Sequence, residues 1–291
     1  MPGLPPYIGR FAPSPTGSLH LGSLCAALVS FLEARTHQGL WLLRIDDLDT
    51  PRNIKGAADG ILKTLDAFAL RWDGQVAYQS QYLDDYQAAL DDLAKHKLTY
   101  PCTCSRKTLS DNHPCLCRDR QNPPSCVYAL RLNTDRRIIS FHDQLQGISS
   151  YQFKGRQDDF ILKRKDRIIA YQFAVVVDDE RQQVSHVVRG VDLLDSTPKQ
   201  IYLQQLLGLI TPIYMHIPVI IDKDGYKLSK QTLATAVDLK NPHAVIFKLL
   251  ALLKQNPPDA LRQAPPTELL TWAVGNWNPA LLKNVQAIEA D

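Results

Sequence analysis

The sequence predicts an α/β fold of the Rossmann type, and three features of its N-terminal part carry that prediction. Residues 7–12 (YIGRFA) and 40–49 (LWLLRIDDLD) are typical of strands, and residues 18–39 between them carry leucines at helical spacing. Strand, helix and strand in this order form a right-handed βαβ unit. Ligands of such folds bind beyond the carboxyl ends of the strands, where the glycine-rich turn PSPTGSLHLGS and the carboxylates of RIDDLD both fall.

The rest of the chain continues this mixture of elements. The first helix is expected to be capped by Thr16 or Ser18. Further helical patterns cover 56–70, 81–98 and 196–208. Strand-like segments cover 128–133, 137–143, 159–179 with a hairpin tip at Lys165 and Asp166, 184–190, and the start of 216–231. From residue 232 onward, short helical pieces are separated by proline pairs.

The composition is that of an ordinary globular protein. Of 291 residues, 45% are hydrophobic and 22% are charged, and the net charge of +3 permits a nucleic-acid partner without requiring one. No apolar run approaches the roughly 20 residues of a membrane helix, and the N-terminal residues lack the pattern of a signal peptide. We therefore expect a cytoplasmic protein with no membrane partner.

The turn PSPTGSLHLGS is suited to bind phosphate, because backbone amides at a helix N-terminus are unsatisfied and the helix dipole adds positive charge there. Gly17 lets the turn approach a ligand closely, and Gly22 leaves room for a flat nucleotide. His20 and Ser23 are three residues apart, so both side chains can donate to phosphate oxygens from one helix face. The alternative is a helix start with an incidental histidine.

The second motif is KLSKQ at 227–231, which follows an apolar strand. Lys227 and Lys230 flank the small Ser229, and two ammonium groups on a loop can stabilise the charge that develops as pyrophosphate leaves a triphosphate. A charged loop by itself is usually only solvated. The two motifs in this order, each at a strand end, together indicate a nucleotide site.

Both motifs resemble the signatures of class I aminoacyl-tRNA synthetases. HLGS at 20–23 is similar to the first signature, His-Ile-Gly-His, and KLSKQ to the second, Lys-Met-Ser-Lys-Ser. The segments GRFAPSPTGSLHLGS, RIDDLD, VVVDD and VVRGVDLLDSTPKQ resemble the glutamyl and glutaminyl branch in particular. The resemblance extends from Tyr7 to Gln231, which is most of the chain.

The resemblance implies a Rossmann-like class I synthetase catalytic domain with an inserted zinc-binding subdomain and a short C-terminal helical segment, and without an anticodon-binding domain. The expected parts are the first half of the catalytic domain at 1–100, the inserted zinc-containing subdomain at 101–160, the second half with the KLSKQ loop at 161–231, and the helical segment at 232–291.

The implied substrates are L-glutamate and ATP, with Mg²⁺. Arg10 ends the first strand and can bind a carboxylate bidentately, while Asp46, where the family more often has Glu, can accept from the ammonium group. The resemblance assigns Tyr171 and Arg189 to the amino acid; the alternative for Tyr171 is an ordinary core aromatic. The full set expected to bind glutamate is Arg10, Phe11, Ala12, Pro13, Ser14, Asp46, Tyr171 and Arg189.

The expected reaction is adenylation, in which the α-carboxylate attacks the α-phosphorus of ATP without a protein nucleophile. His20, Lys227 and Lys230 are expected to act in catalysis. The set expected to bind ATP is Pro13, Thr16, Gly17, His20, Gly22, Ser23 and Lys230. Asp178 and Asp179 are candidates for ribose or nearby loop contacts.

A group of cysteines on a proline-rich segment predicts one structural zinc ion per chain. Cys102, Cys104 and Cys117 are expected ligands. The corresponding loop of the family has a tyrosine ligand where this chain has His113, so His113 and Cys115 compete for the fourth position. Free buried cysteines are the alternative.

Three functions remain open at this point. The first is that of a truncated branch of the family, which activates glutamate without tRNA and attaches it to the base queuosine in the anticodon of tRNA(Asp), here as a monomer. It is favoured because only a short segment follows Gln231. The second is a minimal synthetase that charges tRNA(Glu). The third is a catalytically idle paralogue that binds only RNA or nucleotide, which the intact signature residues argue against.

Overall fold

The computed structural model describes residues 6–105, 115–120, 123–227 and 236–290. Its first three strands are β1 (Ile8–Phe11), β2 (Leu40–Ile45) and β3 (Ala77–Tyr78), which pair in parallel in the order β1-β2-β3. Helix α1 (Leu21–Thr36) connects β1 to β2, so the predicted βαβ unit is present. Its Leu24, Leu28 and Leu32 are buried in the same core cluster as Trp41 and Leu43 of β2.

A second sheet of four strands lies on the other side of β1. It has the order β7-β6-β10-β9 and consists of β6 (Ile138–Asp143), β7 (Gly147–Gln152), β9 (His186–Gly190) and β10 (Ile213–Ile217). The amide of Ser185 donates to the carbonyl of Ile8 over 3.0 Å, which sets β9 beside β1. Strand β2 therefore lies on one side of β1 and β9 on the other. A position at which the connections lead to opposite sides of a strand is a switch point, and α/β folds bind ligands there.

The remaining elements surround this sheet. Strands β4 (Thr99–Cys102), β5 (Ala129–Leu132) and β8 (Ile161–Lys163) form a separate antiparallel sheet, and β11 (Val219–Ile221) pairs in parallel with β12 (Ala287–Glu289). The other helices are α2 (Ala57–Ala67), α3 (Leu83–Lys95), α4 (Tyr171–Arg181), α5 (Thr197–Leu206), α6 (Pro242–Leu252) and α7 (Pro266–Asn276). Strands β6 and β7 lie within 101–160, yet they belong to the same sheet as β9 and β10.

The prediction of strand over residues 159–179 is wrong for most of that range. Strand β8 ends at Lys163, the turn at Lys165 and Asp166 follows as expected, and α4 begins at Tyr171. The run of valines at 175–177 suggested a strand, but every residue of α4 from Phe173 to Asp179 is buried. A helix that is enclosed on all sides loses the 3.6-residue periodicity by which it is predicted.

The C-terminal helices complete the larger core cluster, which contains α1, β2, α6 and α7. The indole Nε1 of Trp277 donates to the buried carboxylate of Glu33 in α1, and burial raises the pKa of that carboxyl. A second cluster lies between α3, α4 and α5. Among the helices in the described part of the chain, none combines the length and the apolar character that crossing a membrane requires.

Candidate active site

A cavity of about 390 Å³ lies at the switch point between β1 and β9. Its wall is formed by the end of β1 and the turn after it, the end of β2, α4, β9, and the junction of β10 with β11. The eight residues predicted to bind glutamate all line this cavity: Arg10, Phe11, Ala12, Pro13, Ser14, Asp46, Tyr171 and Arg189. Residues that are far apart in the sequence are therefore brought together as expected.

The glycine-rich turn lies at one side of the cavity. Gly17 has a φ of 134°, a conformation that side chains rarely adopt, which explains why the turn requires glycine there. Helix α1 begins at Leu21 and is capped by His20, whose Nδ1 accepts from the Ser23 amide over 3.2 Å. The expectation that Thr16 or Ser18 caps the helix is thus wrong, because the helix starts further along the chain.

Five residues of the predicted ATP set line the cavity, namely Pro13, Thr16, His20, Gly22 and Ser23. Gly17 shapes the turn but does not line the cavity. The side chains of His20 and Ser23 are 2.8 Å apart at Nε2 and Oγ and hydrogen-bond to each other. Lys230 lies outside the described residues.

Lys227 reaches the same cavity from the strand β11 side. Its Nζ donates to Asp192 Oδ2 over 2.6 Å, and Asp192 also lines the cavity. The start of α1 and the first lysine of the KLSKQ motif therefore face one shared space, the arrangement that an anionic nucleotide requires.

The end of the cavity lined by Arg10 and Asp46 contains a buried network of alternating charges. Arg10 is 4% exposed, and its Nε is 3.2 Å from Asp179 Oδ1. Arg44, which is fully buried, donates from Nη1 to Asp179 over 2.7 Å and from Nε to Asp46 over 2.8 Å. Burial raises the pKa of Asp46 to about 6, with Arg44 acting against the shift and Asp178 and Asp179 adding to it.

Asp178 and Asp179 do not have the exposure that ribose or loop contacts require. Asp178 is fully buried and accepts from Tyr86 and Gln79, while Asp179 binds Arg10 and Arg44. Burial opposes ionisation of Asp179, but the two arginines hold the pKa of its carboxyl below its usual value. Both carboxylates therefore organise the arginines rather than face the cavity.

Arg189 and Tyr171 lie close together at the cavity wall. Arg189 donates from Nη1 to the Tyr171 hydroxyl over 3.4 Å and from Nη2 to Thr197 Oγ1 over 2.8 Å. Tyr171 is 42% exposed on α4, so it is not the core aromatic that was the alternative.

Four cysteines form a compact cluster beside β4. The sulfurs of Cys102, Cys104, Cys115 and Cys117 all lie within 4.8 Å of one another, and three of the pairs are 3.4–3.7 Å apart. Ligands in a tetrahedral zinc–thiolate site are separated by about 3.8 Å, so these sulfurs fit a zinc ion. Cys115 is a member of the cluster, whereas His113 lies outside the described residues.

Sequence reasoning missed several residues that organise the site. Asp192 follows the strand that carries Arg189, so its position at a strand end was an available signal. Arg44 and Thr197 have no comparable signal, because their contacts are with residues distant in the sequence.

Comparisons with known proteins identify the family to which the chain belongs. The family model for the catalytic domain of class I tRNA synthetases (E and Q) matches residues 8–254. A Glutamyl-Q tRNA(Asp) synthetase of Aromatoleum aromaticum is 46% identical over 283 residues, which are 94% of this chain and 90% of that protein. The protein of the same description from Methylococcus capsulatus is 48% identical over 277 residues, covering 94% of this chain and 92% of that protein.

A solved structure supports the fold. A glutamate tRNA ligase from Elizabethkingia meningosepticum, in complex with its amino acid, superposes with a TM-score of 0.81 at 24% identity. The alignment covers 98% of this chain and 67% of that one. The chain therefore has the mixed α/β catalytic-domain fold of these enzymes.

Proposed function

The chain belongs to the family of glutamyl-Q tRNA(Asp) synthetases, within the class I synthetases for glutamate and glutamine, and we propose that it activates L-glutamate with ATP and transfers it to queuosine in tRNA(Asp). One observation carries the proposal. The helix start suited to phosphate, Lys227, and charged groups suited to glutamate all line a single cavity.

In the first step, an oxygen of the glutamate α-carboxylate attacks the α-phosphorus of ATP. The new bond joins that oxygen to phosphorus, the bond from the α-phosphorus to the bridging oxygen breaks, and pyrophosphate leaves with the electron pair. ATP enters as its Mg²⁺ complex. Positioning and charge stabilisation are sufficient for this displacement, so no protein nucleophile is needed.

The residues divide this work between two ends of the cavity. At the phosphate end, the negative charge on the departing pyrophosphate is stabilised by His20, by the amides of the first turn of α1 and by Lys227. Lys230 is proposed to assist them. At the glutamate end, Arg10 and Arg189 bind carboxylates, Asp46 accepts from the ammonium, and the Tyr171 hydroxyl lies beside Arg189.

In the second step, a hydroxyl of the queuosine base attacks the carbonyl carbon of the glutamyl adenylate, and AMP leaves. The identities to known relatives support this acceptor over the alternative of tRNA(Glu). The chain is 46% and 48% identical to two Glutamyl-Q tRNA(Asp) synthetases, against 24% for the glutamate tRNA ligase.

We propose further that the cysteine cluster holds one structural zinc ion with Cys115 as the fourth ligand, since its sulfur lies 3.4 Å from that of Cys102. We also propose that the enzyme acts as a monomer. Its proposed substrates, ATP and tRNA, are cytoplasmic, which supports action in the cytoplasm.

Two assays test the proposal in sequence. Glutamate should support exchange between ATP and pyrophosphate without RNA, and aspartate should not. The enzyme should then acylate queuosine-containing tRNA(Asp) and leave unmodified tRNA(Asp) and tRNA(Glu) unreacted. Charging of tRNA(Glu) would favour the minimal synthetase, and the absence of any exchange with glutamate, with or without tRNA, would favour the idle paralogue.

A further inference from the structure

Arg189 is a buried cation whose hydrogen-bond partners in the described part of the chain are all neutral. Its side chain donates to His216 Nε2, the Tyr171 hydroxyl, Thr197 Oγ1 and the Leu193 carbonyl. The residue is 6% exposed. A buried guanidinium of this kind contrasts with Arg10, which Asp179 compensates directly.

The carboxylate of Asp143 is separated from Arg189 by the side chain of His216. His216 is fully buried between the two groups, with its Nδ1 2.6 Å from Asp143 Oδ2 and its Nε2 3.1 Å from Arg189 Nε. The ionised carboxylate can only accept and the guanidinium can only donate. The imidazole must therefore carry its proton on Nδ1 and accept at Nε2, which makes it neutral.

Asp143 is fixed strongly in the position that imposes this tautomer. It is fully buried, and its carboxylate accepts from the amides of Leu145, Gln146 and His216. Burial opposes ionisation of Asp143, but hydrogen bonds from the His216 ring and from the amides of Gln146 and His216 keep the pKa of its carboxyl below its usual value. Burial lowers the pKa of His216, which agrees with a neutral ring.

We propose that His216 is a positioning residue that aligns Arg189 while keeping Asp143 from pairing with it. The imidazole transmits a hydrogen bond to Arg189 Nε, yet it holds the carboxylate one ring away. The positive charge of Arg189 thus stays available for a substrate carboxylate. This inference rests on the proposed function, in which Arg189 binds glutamate.

Two substitutions separate positioning from a purely structural role. In His216→Gln, the amide oxygen can replace Nε2 as the acceptor for Arg189. In His216→Asn, the amide nitrogen can replace Nδ1 as the donor to Asp143, but the acceptor for Arg189 is lost. Loss of a hydrogen bond to a charged group weakens binding about tenfold to a hundredfold.

We therefore expect His216→Asn to raise the Kd for glutamate, measured by calorimetry, about tenfold to a hundredfold. Its KM for ATP in pyrophosphate exchange should stay within about threefold of the wild-type value. His216→Gln should recover most of the lost affinity. Equal losses in the two variants, or wild-type affinity in both, would overturn the proposal.

A measurement on the wild-type protein tests the proposal even if a variant fails to fold. The ¹⁵N chemical shifts of the His216 ring at neutral pH should report a protonated Nδ1 and an unprotonated Nε2. A proton on Nε2, or on both nitrogens, would overturn the inference. If the wild-type protein neither binds nor activates glutamate, the proposed function fails instead, and the ring tautomer still tests the geometry.

Discussion

Asp46→Asn is expected to make the stability of the protein without glutamate less dependent on pH. The same substitution is expected to weaken glutamate binding. Asp46 is 9% exposed and accepts from Arg44 Nε over 2.8 Å. Burial nevertheless raises the pKa of its carboxyl from the usual 3.8 to about 6, because Arg44 offsets only part of the effect of burial and of Asp178 and Asp179. The ionised group therefore costs stability in the free protein.

The magnitude and sign follow from this pKa difference. A carboxyl whose pKa is higher in the folded protein contributes stability that is complete below 3.8 and is lost as the pH rises through about 6. From about pH 5 to about pH 8, the loss amounts to about 1.4 kcal/mol in the free energy of unfolding. Asn at this position does not titrate, so the variant lacks this loss.

Urea unfolding of both proteins at the two pH values tests this expectation. The wild-type free energy of unfolding minus that of Asp46→Asn should fall by about 1.4 kcal/mol from about pH 5 to about pH 8. Asp66→Asn, at an exposed site on α2, also removes one carboxylate. The wild-type free energy of unfolding minus that of Asp66→Asn should not fall between the two pH values. A difference that does not change with pH would refute the reasoning.

Glutamate binding supplies the second half of the test. In the proposed function the glutamate ammonium pairs with ionised Asp46, so binding at low pH must first remove a proton from the carboxyl. The Kd of the wild-type protein for glutamate should therefore rise about tenfold from about pH 8 to about pH 5. Asp46→Asn should bind weakly at both pH values, and tight binding by this variant would contradict the assigned role.

Three further outcomes are expected. Lys227→Met should lower kcat for pyrophosphate exchange about a hundredfold by removing a cation from the cavity, whereas Lys223→Met, in the exposed turn, should not. Cys115→Ser should lose zinc, measured by metal analysis, and Cys126→Ser, at an exposed cysteine, should keep it; zinc retained in Cys115→Ser would assign the fourth position to His113. Gly17→Ala should lower stability to urea by about 1–3 kcal/mol, since φ is 134° there, and an unchanged midpoint would contradict the strain.

The βαβ unit and the cavity could be predicted because their signals are local. Leucine spacing in α1, the glycine-rich turn, and the carboxylates that follow β2 each lie within a few residues of the feature they indicate. Parallel pairing then brings the ends of β1 and β2 to one edge of the sheet, where Arg10 and Asp46 line the cavity.

The elements and contacts that sequence reasoning missed depend on tertiary surroundings. The sequence predicts a strand where helix α4 lies, because burial on all sides removes the amphipathic pattern of the helix. The contacts of Arg44 with Asp179 and of His216 with Asp143 join residues that are 135 and 73 positions apart. No local pattern specifies such pairs, since many acidic residues along the chain could have supplied the partner.

The glutamate end of the cavity holds charges of both signs that the free protein does not fully compensate. Arg189 is bound by neutral acceptors among the described residues, and the pKa of Asp46 stays raised although Arg44 contacts it. Glutamate brings the complementary charges, because its carboxylates can pair with the arginines and its ammonium with ionised Asp46. In the proposed function these pairs form only when glutamate binds, so the same features that lower the stability of the free protein would select its substrate.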